Sequence, residues 1–245
     1  MRHPGRKTLI VLIIVLILLI LSAGFLGYSI FKDSEFDIDI PLINDDPMDR
    51  QIDFASWQKK NPDIFAWLYV PGAGIDQPIC CSDTEQYYYM THNNLKDNSA
   101  AGAIFMENRN AKDFSDPCTV VYGHNIAGGK MFATLNNFED PQFFQKNRYF
   151  YIYTPTKTLK NDIFTSYTAD NRHILNSYDF KDPESRMKYF NFVVDPDSFS
   201  KQTTPGYSLS QDDKICLLST CVDAYTYSTQ RFIVAGKLTE SKAIK

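Results

Sequence analysis

The feature that most constrains this chain is an uncharged apolar run near its N-terminus. No charged residue occurs between Thr8 and Phe31. The run is longer than the roughly 20 residues that a helix needs to cross the hydrocarbon core of a membrane. We therefore predict a transmembrane signal-anchor helix over 8–31, which cannot contribute to the core of the folded domain.

The flanking charges predict how this helix is oriented. Arg2, Arg6 and Lys7 precede the run, and basic residues favour the cytoplasmic side. Residues 1–7 would then be cytoplasmic, and the rest of a single-pass cell-membrane protein would be extracellular. A cleaved signal peptide is the alternative, since "LSAG" offers small residues. The run exceeds the usual apolar region of about 7–15 residues and no clear A-x-A site follows, which favours an uncleaved anchor.

The charge of the exported part limits its partners. The chain has 25 basic and 29 acidic residues, and three of the basic ones precede the anchor, which leaves 22 basic residues and a net charge of about −7 outside. A domain of this sign without a basic patch is not expected to bind nucleic acid. Nor is it expected to adhere to anionic lipid beyond the anchor itself.

Five cysteines, at positions 80, 81, 118, 216 and 221, are an odd number for an exported protein. Their spacing matches no zinc framework, and a domain of this size does not need disulfide bonds for stability. At least one thiol must remain unpaired. An exported free thiol is a candidate for chemistry.

The remainder of the chain divides into a stalk and one domain. Residues 32–48 are acidic, contain two prolines and lack helical periodicity, which predicts an extracellular stalk. Residues 49–245 would form the domain. It begins with one or two short amphipathic helices that end near Asn61-Pro62, and a further helix is predicted over 83–92.

Strand signals dominate the rest of the domain. Short β-branched and aromatic runs, such as "CTVVYGH", "YFYIYTP", "KICLLSTC" and "RFIVAGKL", alternate with turns. Helical patterns occur at 131–147 and 178–192. The fold class is therefore mainly β, a mostly antiparallel barrel or sandwich with peripheral helices.

Three residues stand where strands meet loops, the positions at which scaffolds often place reactive groups. Cys221 ends "ICLLSTC", His124 ends "CTVVYGH" and Arg231 begins "RFIVAGKL". Alternation along a strand places Cys221 on the face opposite Cys216. If the last two strands are neighbours, the connection between them returns Arg231 to the side of Cys221. His92 and His173 are expected to be solvated loop residues.

These three side chains suffice for acyl transfer without a metal or cofactor. A thiol attacks an amide carbonyl as the thiolate, so an imidazole must accept or stabilise its proton. The same ring can protonate the leaving amine. An arginine can stabilise the oxyanion of the tetrahedral intermediate.

Together the motifs resemble those of the class B sortases. "LLSTC" is similar to the TLxTC signature that ends in the nucleophile of this family, with Leu217 where threonine is usual. "VVYGHN" resembles the strand before the catalytic histidine, and the arginine of "QRFIVAGKL" matches the essential arginine. "NPDIFAWLYVPGAGIDQPI" and "AGAIFMENRN" resemble early strands. The resemblance covers about residues 50–240.

The resemblance implies an eight-stranded sortase β-barrel with N-terminal helices and an extra helix between strands six and seven. It implies a membrane-anchored cysteine transpeptidase on a Gram-positive-type cell surface. The enzyme would cleave an NPxTN or xPxTG sorting motif of a surface protein after threonine. A peptidoglycan precursor or cross-bridge amine would then resolve the thioacyl-enzyme.

The resemblance also assigns roles to residues. Cys221 would be the nucleophile, His124 the general acid and base, and Arg231 the clamp for substrate and oxyanion. Asp223 matches an acidic position whose role is less defined, a possible catalytic support. The groove for the peptide would be lined by Tyr122, Ser219, Thr220 and Leu175, the last within a wall formed by His173–Asn176.

Two alternatives share these features. A surface cysteine peptidase would use the same Cys221 and His124 but hydrolyse its acyl-enzyme. A non-catalytic anchored adhesin would contain Cys221 only as a buried packing residue, since free cysteines are commonly buried. The sorting motif, the acceptor amine and the nature of the surface protein, whether haem-uptake protein, pilin or another, are left open by the sequence.

Overall fold

Strands predominate over helices in the computed structural model, which describes residues 46–222 and 229–244. The strands are β1 (Ile64–Val70), β2 (Ile75–Cys80), β3 (Ile104–Met106), β4 (Cys118–Tyr122), β5 (Asn125–Ile126), β6 (Lys130–Met131), β7 (Tyr149–Tyr153), β8 (Lys157–Asp170), β9 (Lys201–Thr203), β10 (Ile215–Cys221) and β11 (Gln230–Ala243). The helices are α1 (Phe54–Lys60), α2 (Pro141–Lys146), α3 (Ile174–Ser177) and α4 (Pro183–Val194). Short 3-10 helices occupy Pro47–Asp49, Pro71–Ala73, Tyr88–Met90 and Ala133–Glu139.

Eight of these strands form a closed barrel. They are hydrogen-bonded in the order β11-β10-β4-β3-β2-β1-β7-β8, and β8 pairs with β11 to complete the circle. Closure leaves the sheet without a long unpaired edge. β9 pairs with β8 as an additional short strand, and β5 and β6 form a separate hairpin. The predicted eight-stranded, mainly β fold is confirmed.

Most pairings are antiparallel, as predicted, but two are parallel. β2 pairs with β3 and β4 pairs with β10 in the parallel sense. The second of these pairings matters for the site, because parallel strands end at the same side of the sheet. β4 and β10 are separated by nearly a hundred residues of chain, yet their C-terminal ends lie next to each other.

Alternation along each strand divides the apolar residues between two hydrophobic clusters. On β10, Cys216 and Leu218 belong to the cluster inside the barrel. Ile215 and Leu217 belong to a second cluster on the outer face, where α4 packs. The outer face is therefore covered by a helix along part of β10 and is open only beyond it. The two faces predicted for this strand are confirmed.

Local signals explain where α4 begins. The Asp182 carboxylate accepts a hydrogen bond from the Ser185 backbone N–H at 2.8 Å, and Pro183 occupies the first turn. Both are favourable features of a helix N-terminus. Tyr189, Phe190 and Val193 of α4 are buried in the outer cluster. The helix lies between the sixth and seventh barrel strands, which confirms the predicted extra helix.

The region before β1 packs on the barrel through a charged anchor. The Arg50 guanidinium donates to both carboxylate oxygens of Asp76, at 2.8 and 2.9 Å, and lies over the rings of Tyr69 and Tyr153. Met48, the last residue assigned to the predicted stalk, is buried. One α-helix, α1, follows, in agreement with the predicted N-terminal helices.

The helix predicted over 83–92 is wrong. The segment contains turns and one 3-10 helix at Tyr88–Met90. Tyr89 is buried, and its hydroxyl donates to Asp63 at 2.7 Å and accepts from Asn61 at 2.8 Å. Three consecutive tyrosines are only moderate helix formers, and the tertiary hydrogen bonds of the buried tyrosine determine the conformation instead.

The membrane anchor predicted over 8–31, the cytoplasmic residues 1–7 and most of the stalk lie outside the described residues, as does Asp223. Within 46–222 and 229–244, no helix has the length and apolar character required to cross a membrane.

Gly236 on β11 provides a test of the barrel packing. A Cβ atom at this position would overlap the ring of Phe150, which is fully buried. We expect Gly236→Ala to lower the free energy of unfolding by about 1–3 kcal/mol through overpacking, measured by urea denaturation. Ser241→Ala, at an exposed position of the same strand, is the control. Equal midpoints for the two variants would contradict the packing.

Candidate active site

Cys221 and Arg231 are direct cross-strand partners. β10 and β11 are antiparallel, and their register pairs the two residues. Opposed residues in such a pair point to the same face, with Cβ atoms about 4.5–5.5 Å apart. This is the outer face. Leu217 on β10 shares a face with Cys221, Ile233 on β11 shares a face with Arg231, and both belong to the outer cluster. The predicted return of Arg231 to the side of Cys221 is confirmed.

His124 reaches the same end of the barrel from β4. Tyr122 pairs with Ser219 in the parallel register, and the Gly123 N–H donates to the Ser219 carbonyl at 3.2 Å. His124 follows directly. Its Nε2 forms a 2.8 Å hydrogen bond with the Met90 carbonyl, so the ring is fastened to the loop between β2 and β3.

Gly102 allows this loop to approach the imidazole. Its φ of +61° is in the region that favours glycine. A Cβ atom here would lie 2.5 Å from the Tyr89 carbonyl oxygen and 3.1 Å from His124 Cδ2. A larger residue at 102 would therefore displace the loop or the ring.

One cavity contains all three side chains. It has a volume of about 530 Å³ and opens on the outer face at the end of β4 and β10. Its lining combines the three polar groups with aromatic and aliphatic side chains, as is typical of ligand sites. The aromatic part includes Tyr167, Tyr178, Tyr189 and Phe192.

The residues predicted to bind substrate differ in their placement. Tyr122, Ser219 and Thr220 line the cavity. In the wall segment, His173 and Ile174 line it, whereas Leu175 is half-buried against the outer hydrophobic cluster. The described residues offer no hydrogen-bond partner to Thr220 Oγ1, which is buried.

Cys221 differs from the other four cysteines in its exposure. Cys80, Cys81, Cys118 and Cys216 are buried free thiols, whereas Cys221 is partly exposed. Burial raises the pKa of each of the four above the usual value of a thiol, to about 11 for Cys81. A raised pKa leaves little thiolate at neutral pH, so these thiols are poor nucleophiles.

Asn125 is a site residue that the sequence reasoning missed. Its Nδ2 donates to the carbonyls of Cys221 and Val222, at 2.9 and 3.2 Å, and Asn136 Nδ2 donates to Val222 at 3.3 Å. Asn125 follows His124 in the chain, so its side chain links the segment that carries His124 to the backbone at Cys221. The only sequence feature that could have indicated this role of Asn125 is its position directly after His124 in "GHN".

His173 is not the solvated loop residue that was predicted. Its Nε2 lies 2.7 Å from Oε1 of Glu107, a carboxylate with no exposed surface that also lines the cavity. Glu107 follows the short strand β3, and the sequence reasoning missed it too. A single acidic residue after an apolar run is a weak signal, because its partners come from distant segments.

Among the described residues, no group of three or more His, Cys, Asp or Glu side chains is arranged to hold a metal ion. A thiol, an imidazole and a guanidinium around an open cavity can perform nucleophilic acyl transfer.

Comparison with known proteins agrees with this fold. The Sortase domain model matches residues 68–239. Sortase B of Listeria monocytogenes is 30% identical over 181 residues, which cover 74% of this chain and 72% of the relative. Sortase B of Clostridium perfringens has a solved structure with a TM-score of 0.67 and 28% identity, covering 76% of this chain and 100% of the other.

A class B sortase of Streptococcus pyogenes, described as involved in pilus biogenesis, has a TM-score of 0.63 and 27% identity over 77% of this chain and 98% of the other. The matching family model covers well over half of the chain. The chain belongs to the sortase family, and its relatives place it among the class B sortases, which are cysteine transpeptidases that act on proteins with a sorting signal.

The exposure difference between the thiols predicts a simple labelling result. A methanethiosulfonate reagent at pH 8 should modify one cysteine per native chain, Cys221, and should modify all five after denaturation in urea. Cys221→Ala should abolish native labelling, and Cys216→Ala, the matched control on the same strand, should retain it. Peptide mapping by mass spectrometry identifies the site. Native labelling at any of the four buried positions would contradict the described packing.

Proposed function

We propose that this sortase cleaves a C-terminal sorting motif of the NPxTN or xPxTG type after threonine, and transfers the protein to a peptidoglycan amine. The observation that carries the proposal is the pairing of Cys221 with Arg231 at the mouth of a cavity that His124 also lines. Together they supply a nucleophile, an acid–base group and a fixed cation.

The first half-reaction forms a thioester. His124 accepts the Cys221 proton, and the thiolate attacks the carbonyl carbon of the threonine in the motif. A C–S bond forms and the carbonyl becomes an oxyanion. When the intermediate collapses, the C–N bond breaks and the imidazolium protonates the leaving amine. The second half-reaction reverses these roles, because an incoming amine attacks the thioester and releases the thiolate.

The hydrogen bond to Met90 selects the working nitrogen of His124. A backbone carbonyl only accepts hydrogen bonds, so Nε2 must carry a proton. Nδ1 is then the nitrogen that exchanges a proton with Cys221 and the substrate amine. The contact also holds the ring in one orientation, as an orienting partner does for other catalytic histidines.

Arg231 is placed to stabilise the oxyanion. Its register opposite Cys221 supports this role, because the side chain of a cross-strand neighbour can extend to a carbonyl that is under attack by the thiolate. A donor fixed before the reaction stabilises developing charge without reorganisation, typically by about 3–4 kcal/mol. Tyr122, Ser219 and Thr220 would contact the peptide, and Asp223 is retained as a possible catalytic support.

The proposal also includes a membrane anchor and an extracellular location for the catalytic domain. The apolar run at 8–31, preceded by basic residues, supports a single-pass membrane protein with a cytoplasmic N-terminus and an extracellular catalytic domain. Such a location would bring the enzyme to both exported surface proteins and peptidoglycan precursors.

Product analysis tests the function. Purified full-length chain is incubated with internally quenched NPxTN and xPxTG pentapeptides, with and without triglycine, diaminopimelate or hydroxylamine as the amine. We expect cleavage after threonine and incorporation of the amine. Cys221→Ala should abolish turnover. His124→Ala should lower kcat about 10²–10⁴-fold, and Arg231→Ala about 10²–10³-fold.

The control is Lys242→Gln, which removes a surface ion pair with Asp49, neither residue being part of the cavity lining, and it should leave kcat unchanged. If an added amine neither enters the product nor accelerates turnover, the enzyme is a peptidase that hydrolyses its acyl-enzyme. Full activity of Cys221→Ala would exclude the mechanism altogether.

Asn125 should affect the rate through the backbone after the nucleophile. Asn125→Ala removes a donor from two carbonyls, each hydrogen bond being worth about 0.5–1.5 kcal/mol. We expect kcat to fall about tenfold, because each 1.4 kcal/mol corresponds to a factor of ten. The matched control is Asn137→Ala, at an exposed position beside Asn136. Unchanged kcat in Asn125→Ala would show that this contact does not position Cys221.

A further inference from the structure

Glu107 is the most deeply buried ionisable group at the cavity and has no place in the reaction described above. Its side chain has no exposed surface, although it lines the cavity. Burial of an isolated carboxylate is very unfavourable, so such a group requires several donors. The identity of those donors shows what the carboxylate holds in place.

The donors come from three separate segments. His173 Nε2 lies 2.7 Å from Oε1, and Arg109 Nε lies 3.1 Å from Oε2. Gln86 Nε2 donates to Oε2 from the loop between β2 and β3. We call Glu107 with these three residues the Glu107 hub. Only Arg109 is close to Glu107 in sequence; the other two are 21 and 66 residues away.

Two routes lead from the hub to the cavity wall at 171–177. The first is the direct contact between Glu107 and His173. The second runs through Arg109, whose Nη1 donates to Asn176 Oδ1 at 2.5 Å. Asn171, Arg172, His173 and Ile174 of this segment line the cavity.

The segment has little internal support of its own. α3 contains only four residues, none of them fully buried. Its backbone hydrogen bonds are those of Asn176 and Ser177 with the His173 carbonyl and of Tyr178 with the Ile174 carbonyl. A single helical turn is not stable alone, because the cost of nucleation is spread over too few bonds. External contacts must therefore hold the wall.

The hub also affects Tyr122, which ends β4 and lines the cavity. Burial raises the pKa of the Tyr122 phenol, and the neighbouring Glu107 carboxylate raises it further. Tyr122 therefore remains a neutral phenol over any physiological pH. One carboxylate thus influences both a residue on β4 and the wall that follows β8.

We propose that Glu107 is a positioning residue, which fixes the 171–177 wall through His173 and the Arg109–Asn176 contact and so sets the fit of the peptide substrate. The second half of this statement rests on the proposed function. Where a binding surface is ordered in only a fraction of molecules, the apparent affinity falls by that fraction while the chemistry of the bound state is unaffected. The hub should therefore control KM far more than kcat.

The test combines two measurements on the full-length chain. Hydrogen exchange of the amides of Asn176, Ser177 and Tyr178 reports the opening of the wall without any substrate. Steady-state kinetics with the quenched pentapeptides report its effect on binding. The variants are Asn176→Ala and Arg109→Gln, which remove the second route, and Glu107→Gln and His173→Ala, which remove the first.

We expect exchange of the three amides to accelerate at least tenfold in Asn176→Ala and Arg109→Gln, with KM raised about tenfold and kcat within twofold of the parent. Glu107→Gln should show both effects more strongly. Should that buried substitution prevent folding, the exposed Asn176→Ala still decides the question. Arg109→Lys, which retains the charge but loses the forked geometry, should restore only part of the affinity.

Lys112→Gln is the matched control. It removes a surface ion pair with Asp83 close to Arg109 in the chain, and neither exchange nor KM should change. Unaltered exchange in Asn176→Ala and Arg109→Gln would overturn the proposal, and so would faster exchange with unchanged KM. If the parent cleaves no peptide, the proposed function fails, and the exchange comparison still decides whether the hub holds the wall.

Discussion

The hydrogen-bonded register between β10 and β11 is the constraint on which the site depends. It pairs Cys221 with Arg231 and thereby fixes the separation of their Cβ atoms through the backbone. β11 also pairs with β8 along its other edge and closes the barrel. A slip of one residue would turn every side chain of the strand to the opposite face. The buried partners Phe232 and Val234 inside the barrel make such a slip very unfavourable.

The three side chains of the site therefore lie at the ends of barrel strands, and loops complete the site. Parallel pairing of β4 with β10 brings His124 to the same end as Cys221, while the loop carbonyl of Met90 holds the ring. The wall at 171–177 is attached by polar contacts to Glu107 and Arg109 as well as by packing of Ile174 and Leu175 on the outer cluster. Polar contacts of this kind are directional, so they specify one geometry where an apolar contact would permit several.

Local patterns in the sequence predicted the strand content, α4 and the proximity of Cys221 to Arg231, whereas the eight-stranded barrel was implied by the resemblance to the sortases. Alternation along "KICLLSTC" assigns faces, and a strand connection of limited length returns Arg231 to its neighbour. The same reasoning failed where tertiary contacts decide. The helix predicted over 83–92 is replaced by turns that bury Tyr89. His173 was expected in solvent but contacts a carboxylate 66 residues away in the chain.

By itself, then, the sequence determined the strand content, the two faces of β10, the candidate nucleophile with its strand neighbour, and the family whose motifs it shares. These features follow from a periodicity of two and from residue types at strand ends. The tertiary structure alone decided that β4 and β10 are adjacent, that Asn125 bonds the carbonyls after Cys221, and that Glu107 lies buried at the cavity. Each of these joins segments far apart in the chain, and no local pattern encodes which distant donors a buried polar group will find.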